Sequence, residues 1–302
     1  MASSFRLPSI LLLAAFLFGA DLAAPTSALA QPSPNDVLRS LGEAYDDQFG
    51  QVDTYVLVTS MGGDMSVFDS LRVYARRTPA GTFETSTEAF GGMADFLSGQ
   101  DLSGAQNDLM ELNKKLLDNF LGVATYQGRE SVNGVDTYVM EVTDPEALAS
   151  MMAEQNEAVS AGMGGEEDMQ LESARLFVDT ERSVLAKMEM RMQVDSPDVK
   201  GLMTMEMEMS DYRQVGPLLY PFRMVNRMNT PISDELRKEM EAQQAEMKKE
   251  LAGLPPEQRK QMEEMMNMAG GMMAGAMDGT VEMVMEVQRL EVNVPLPADA
   301  FK

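Results

Sequence analysis

The 302-residue chain contains no histidine, no cysteine and no tryptophan. Without histidine there is no Ser-His-Asp triad and no imidazole ligand; without cysteine there is no thiolate nucleophile, thiolate metal site or disulfide. The lack of tryptophan removes the usual platform for sugars. Basic residues are also scarce: Lys and Arg total 24 against 48 Asp and Glu, a formal charge of −24. Nucleic acid is therefore excluded as a partner, since binding it needs a basic footprint that displaces counterions. Anionic headgroups are disfavoured for the same reason. Carboxylate, lysine or tyrosine chemistry, thioether metal binding, and binding without catalysis stay open, and the last is the reading adopted: no enzyme, no cofactor. The acidity reads as adaptation to a salty medium, where carboxylates hold water and repulsion is screened, with attraction of a cationic ligand as the alternative.

One apolar run stands out. Arg6 followed by Ile10–Ala20 and then Ala28-Leu29-Ala30 has the order of a secretory signal, predicting cleavage before Gln31. The run is too short to span a bilayer, which takes about 20 residues, and no later stretch replaces it, so no transmembrane segment is expected. Because cysteine is missing, no N-terminal lipid anchor is expected either. These features predict a periplasmic protein whose single domain covers 31–302.

Along that domain the hydrophobic period changes from helical to strand-like. Val37, Leu38, Leu41 and Tyr45 share one helical face over 35–50, with Ser33 or Asn35 available as N-cap. Strands are predicted over 53–61, 66–77 and 82–88, with Gly62-Gly63-Asp64 and Thr78–Gly81 as turns. A helix with Leu109, Leu112, Leu116 and Phe120 on one side follows, then strands over 123–131 and 135–142 joined by Asn133-Gly134, a strong hairpin signal. Asp144-Pro145 opens a helix to about Ser160. Further strands are predicted over 172–178, 184–194, 203–210, 220–228 and 280–294, the last with a phase slip near Gln288-Arg289 that marks a β-bulge. Between them, 231–279 reads as an inserted helical hairpin. The expected fold class is α+β: a large curved antiparallel sheet, an unclosed half-barrel of about nine strands, with helices over its concave face.

Several segments resemble the LolA/LolB-like superfamily of periplasmic lipoprotein carriers, especially its outer membrane lipoprotein-sorting branch. They are the hairpin Gly128–Val142, the turn Leu176-Phe-Val-Asp-Thr-Glu-Arg182, the strand pair Tyr212–Arg223 and the terminus Val292–Phe301. The resemblance implies an incomplete barrel plugged by helices, with acyl chains of a lipid or lipoprotein as partner. The insertion 231–279 departs from the family pattern and is a candidate lid or docking arm for an envelope protein.

The chain carries 30 methionines, and the strand pattern organises many of them. Val184, Ala186, Met188, Met190, Met192 and Val194 alternate with Leu185, Lys187, Glu189, Arg191 and Gln193; Met203, Met205, Met207 and Met209 alternate with Thr204, Glu206, Glu208 and Ser210. Met283 and Met285 continue the pattern. Three readings compete. The methionines are ordinary core, or, as Met188, Met190, Met192, Met203, Met205, Met207, Met283 and Met285, they line a deformable apolar cavity for acyl chains. Alternatively, Met262, Met265, Met266, Met268 and Met272, Met273, Met277 offer thioethers to Cu(I). Glu206 and Glu208 fall on one strand face opposite the methionines, which suits a solvated surface better than an acid/base pair. No resident metal is expected.

Overall fold

The structure, a computed structural model, describes residues 31–63, 69–91, 117–151, 168–195, 200–231 and 279–301, with 233, 237, 238, 242 and 245. All but Gln31 of these lie in one compact unit, Pro32–Lys302. The signal-like segment 1–30, most of the helix predicted before Phe120 and most of the insertion 231–279 lie outside the described residues.

Helix α1 spans Pro34–Phe49 and buries Val37, Leu38 and Leu41, with Tyr45 stacked on Phe49 at 4.8 Å between ring centroids. Ser33 takes the N-cap position and Pro34 opens the helix, where its missing N–H costs nothing. The Ser33 side chain makes no capping bond. Asn35 instead braces the helix from outside: its Oδ1 accepts from the Gly122 N–H at 2.8 Å, tying the segment before the fourth strand to the helix. At the other end, the Arg77 guanidinium donates to the carbonyls of Phe49, Val52 and Gly81 and fastens the helix exit to the sheet.

Ten strands follow, one on each of the ten ranges predicted and so one more than the rounded total of nine: β1 (Thr54–Gly63), β2 (Ser70–Arg77), β3 (Phe83–Phe90), β4 (Thr125–Val132), β5 (Val135–Val142), β6 (Asp168–Asp179), β7 (Leu185–Asp195), β8 (Lys200–Val215), β9 (Leu218–Asn229) and β10 (Thr280–Val292). They form a single sheet in the order β3-β2-β1-β10-β9-β8-β7-β6-β5-β4, all pairs antiparallel, open at β3 and β4. Strands β4 to β10 run as a meander, and β10 then docks on β1. Several strands run past their predicted ends. Gly62 and Gly63 belong to β1, paired with Val284 and Met283, instead of opening the turn.

Turn chemistry explains the register. Asn133 (φ 51°) and Gly134 (φ 80°) adopt the left-handed backbone that a two-residue hairpin needs. Asp144 caps the helical residues 145–151 by accepting from the N–H groups of Glu146 (3.1 Å) and Ala147 (2.9 Å). Asp179, between β6 and β7, accepts from the N–H of Glu181 and Arg182 through Oδ1. The ladder also shifts register at Gln127, Glu172, Ala186 and Gln288, each an extra residue on its strand. Such bulges bend the strand and increase its twist, which curves a sheet of this width.

The bulge at Ala186 corrects the expected alternation of β7. Leu185, not Ala186, shares the methionine side and packs with Met188, Met190 and Met192, while Ala186 turns to the opposite face with Val132, Val139 and Phe177. The inner, helix-bearing face holds two further groups. Val37, Leu38 and Leu41 of α1, Leu117 and Phe120, and Leu148 and Met151 pack over β5–β7. Phe49 packs with Tyr55, Leu57, Tyr220, Phe222, Val287 and Leu290 over β1, β2, β9 and β10. The C-terminal hook, with Leu296, Ala300 and Phe301, covers Val56 and Tyr74 on the outer face after Asn293 (φ 55°) turns the chain. No helix among the described residues is long and apolar enough to cross a membrane.

Candidate functional site

Register places the methionines of separate strands side by side on the inner face. One row reads Met190–Met205–Met228–Val281, and the next reads Met188–Met207–Asn226–Met283. A third reads Met209–Met224–Met285–Met61, and Met192 pairs with Met203 at the edge. Directly paired side chains have Cβ atoms about 5 Å apart, so neighbouring thioethers are in contact range along each row. All eight predicted lining residues lie on this face. Three more, Met61, Met224 and Met228, join them, as does Met209. The signal for the β9 pair was present: Leu218, Tyr220, Phe222, Met224, Asn226 and Met228 alternate through that strand.

Burial divides the eight. Met188, Met190 and Met192 are buried beneath α1 and residues 117–120 and 145–151, and Met285 is buried further along the face. Met203 and Met207 are half-buried, as is Met283, and Met205 is 36% exposed. The β7 methionines are thus packed core, and the β8 methionines form a partly open apolar floor beside it. Thioether side chains suit such a floor, because an unbranched, polarizable chain adapts to guests of differing shape. The copper candidates from Met262 to Met277 lie outside the described residues.

Polar groups on this face are few. Asn226 interrupts the middle row with one amide. Thr59, opposite Val287 and Leu71, and Thr87, opposite Val73, present buried hydroxyl oxygens with no hydrogen-bond partner among the described residues. The phenols nearby stay protonated. Burial pushes Tyr220 up to about 12. Burial, with Tyr220 and Tyr45 close by, pushes Tyr55 higher still. Tyr212 is raised by burial as well, and its hydroxyl donates to the Leu185 carbonyl while lying 3.7 Å from the Met209 sulfur. The face therefore offers apolar contact and isolated neutral hydrogen-bonding groups.

The opposite face is charged in register with the methionine rows. Glu141, Arg175, Glu189, Glu206, Arg227 and Glu282 are successive cross-strand neighbours on β5 to β10. Lys187 reaches Glu206 at 3.1 Å, and Arg227 reaches Glu208 at 3.1 Å and Glu282 at 2.8 Å. Glu189, only 5% exposed, is ringed by Arg175, Lys187 and Arg191. The face on which Glu206 and Glu208 were placed is, on these strands, a ladder of paired charges, with both residues in ion pairs.

No family model and no curated protein matches the chain. Among solved structures it is similar to a DUF1329 family protein from Desulfovibrio piger, at 13% identity and TM-score 0.42, over 90% of this chain and 98% of that one. It is also similar to an outer membrane lipoprotein-sorting protein domain from Vibrio parahaemolyticus, at 9% identity and TM-score 0.41, over 88% and 96%. A LolA superfamily protein from Nitrosomonas europaea matches at 14% identity and TM-score 0.35, over 90% and 98%. These are likenesses of fold, to lipoprotein-sorting and LolA-superfamily proteins, and they assign the chain no activity.

Proposed function

We propose that this chain is a non-enzymatic periplasmic binding protein that holds the acyl chains of a lipid or lipoprotein against its methionine-lined inner face. The observation that carries the reading is the contrast along the rows: Met190 is buried under the helices, while its cross-strand neighbour Met205 remains 36% exposed. An apolar floor left partly open beside a sealed core suits a long apolar guest, because covering it removes hydrocarbon from water on both partners. The inner face carries no charge in its three methionine rows, so a headgroup has no counter-ion there and the acyl part supplies the affinity.

Burial of each CH₂ contributes about 0.8 kcal/mol, so every two carbons added to a fatty acid tighten binding by about tenfold until the floor is filled. The test is a titration with saturated fatty acids of increasing length, displacing a fluorescent acyl probe, alongside native mass spectrometry of protein purified from its own envelope. Affinity rising with length, with a lipid mass on the native protein, is the expected result. A flat length series and a lipid-free protein would overturn the reading and favour an envelope interaction protein that docks a partner without cargo.

A further inference from the structure

We propose that Met205 is a site of reversible oxidation by hydroperoxides, and that its sulfoxide empties the inner face. The second half rests on the acyl-binding reading above; the first does not. With no cysteine in the chain, thioethers are its only sulfur nucleophiles, so a peroxide finds no thiolate to consume it first. Exposure then selects among the described methionines. Met205 is 36% exposed at the middle of the partly open floor, whereas Met140, Met190 and Met224 are at most 8% exposed. Of the residues flanking it in its row, Met190 is buried and Met228 half-buried, so Met205 is the most exposed of the three.

The step is a two-electron oxygen transfer. A sulfur lone pair attacks the terminal peroxide oxygen, an S–O bond forms as the O–O bond breaks, and the departing hydroxide or alkoxide takes a proton to leave as water or alcohol. Sulfur is oxidised and the peroxide reduced, with no further reactant. The product is a polar, chiral side chain that accepts strong hydrogen bonds. Set between Met190 and Met228 it has no donor on its row, so a covering acyl chain would strip water from the sulfoxide without replacing that bond. A methionine sulfoxide reductase, drawing two electrons from a pair of thiols that becomes a disulfide, removes the oxygen as water and restores the thioether and the apolar floor.

The experiment treats the intact protein with graded hydrogen peroxide, digests it with trypsin and follows oxidation by tandem mass spectrometry. The 201–213 peptide carries Met205, the 188–191 peptide carries Met188 and Met190, and the 224–227 peptide carries Met224. Met205 is expected to oxidise at least about tenfold faster than Met188, Met190 or Met224, in line with selection by exposure. Acyl-probe affinity should fall about tenfold as Met205 oxidises, return on treatment with methionine sulfoxide reductase, and fall similarly in the unoxidised polar variant Met205→Gln. In Met205→Leu, probe affinity measured against that variant's own untreated value should no longer fall as peroxide is added. Equal oxidation rates across these peptides overturn the site assignment. Selective oxidation of Met205 with unchanged probe affinity overturns its effect on binding, and failure of the untreated protein to bind any acyl probe overturns the acyl reading alone.

Discussion

Replacing Asp179 by alanine should cost this protein about 3 kcal/mol, as worked from the bonds it makes. The residue is only 2% exposed and closes the turn between β6 and β7. Its Oδ1 accepts from two backbone N–H groups, Glu181 at 2.8 Å and Arg182 at 3.0 Å, and Oδ2 accepts from Arg182 Nε at 2.6 Å. Hydrogen bonds to a charged acceptor contribute about 1.5 kcal/mol each, which gives about 3 kcal/mol for the two backbone donors. The Arg182 side chain is 42% exposed, so its ion pair adds less than about 1 kcal/mol. Asparagine keeps an oxygen for the two backbone donors and loses the charge, so Asp179→Asn should cost only about 1 kcal/mol. In urea, with m near 3 kcal/mol/M for a chain of this size, the alanine variant should unfold about 1 M earlier by far-ultraviolet circular dichroism.

The pH dependence supplies a control. Burial pushes the Asp179 carboxyl up, but the two backbone donors and Arg182 outweigh it and hold the group below its ordinary 3.8. A depressed folded value means the stabilisation is fully present above pH 3.8 and is lost as pH falls through the folded value. The gap between wild type and Asp179→Asn should therefore be constant from about pH 5 to 8 and close in stronger acid. An alanine variant within about 0.5 kcal/mol of wild type would refute the reasoning, as would a gap that stays open in acid.

Deleting Gln288 should cost little for a residue inside a strand: Val58–Arg289 and Thr59–Val287 then pair in succession and Leu290 and Val292 stay on the face of Val287, so urea unfolding should shift by about 1 kcal/mol, and Gln288→Ala by less than about 0.5 kcal/mol. Glu189→Ala leaves Arg175 and Lys187 half-buried without the carboxylate between them, so it should lower stability by about 2–3 kcal/mol in urea unfolding, and the gap between variant and wild type should change little with salt because burial shields Glu189 from added ions. Tyr220 should titrate at about 12 in tyrosinate absorbance. Because its folded value is raised, the stabilisation it contributes is complete below the ordinary value of 10 and is lost as pH climbs from 10 to about 12.

How far the fold could be read from residues depended on local chemistry. Asn133-Gly134, Asp144-Pro145 and the phase slip at Gln288 each act through their own few residues, and each was legible. The slip at Ala186 was not, because Val184 to Val194 alternate cleanly in sequence and only the pairing of Phe177 and Val178 with Lys187 and Leu185 reveals the extra residue. The solvated face of Glu206 was legible, but its neighbours Lys187 and Arg227 come from strands that precede and follow it, and only register brings them together. The methionine side of each strand was legible; the rows were not, since Met205 meets Met190 and Met228 through three separate strands. Which methionines are sealed depends on where α1 and residues 117–120 and 145–151 lie across the sheet, and periodicity carries no such information.

The pairing of β1 with β10 has a consequence for how the molecule is made. Thr54 and Asn293 lie far apart in the chain yet meet at this seam, where the Thr54 hydroxyl donates to the Val294 carbonyl and the Asp53 N–H donates to Asn293 Oδ1, each across a separation of 240 residues. β1–β3 and β4–β9 can each zip locally, but the seam joining them waits for β10. Until β10 docks, a folding chain therefore carries two incomplete sheets with exposed edges, and such long-range closure is intrinsically slow. The molecule is most vulnerable before that docking, and a chaperone that shields β1 and β9 until β10 arrives would protect the step on which the whole sheet depends.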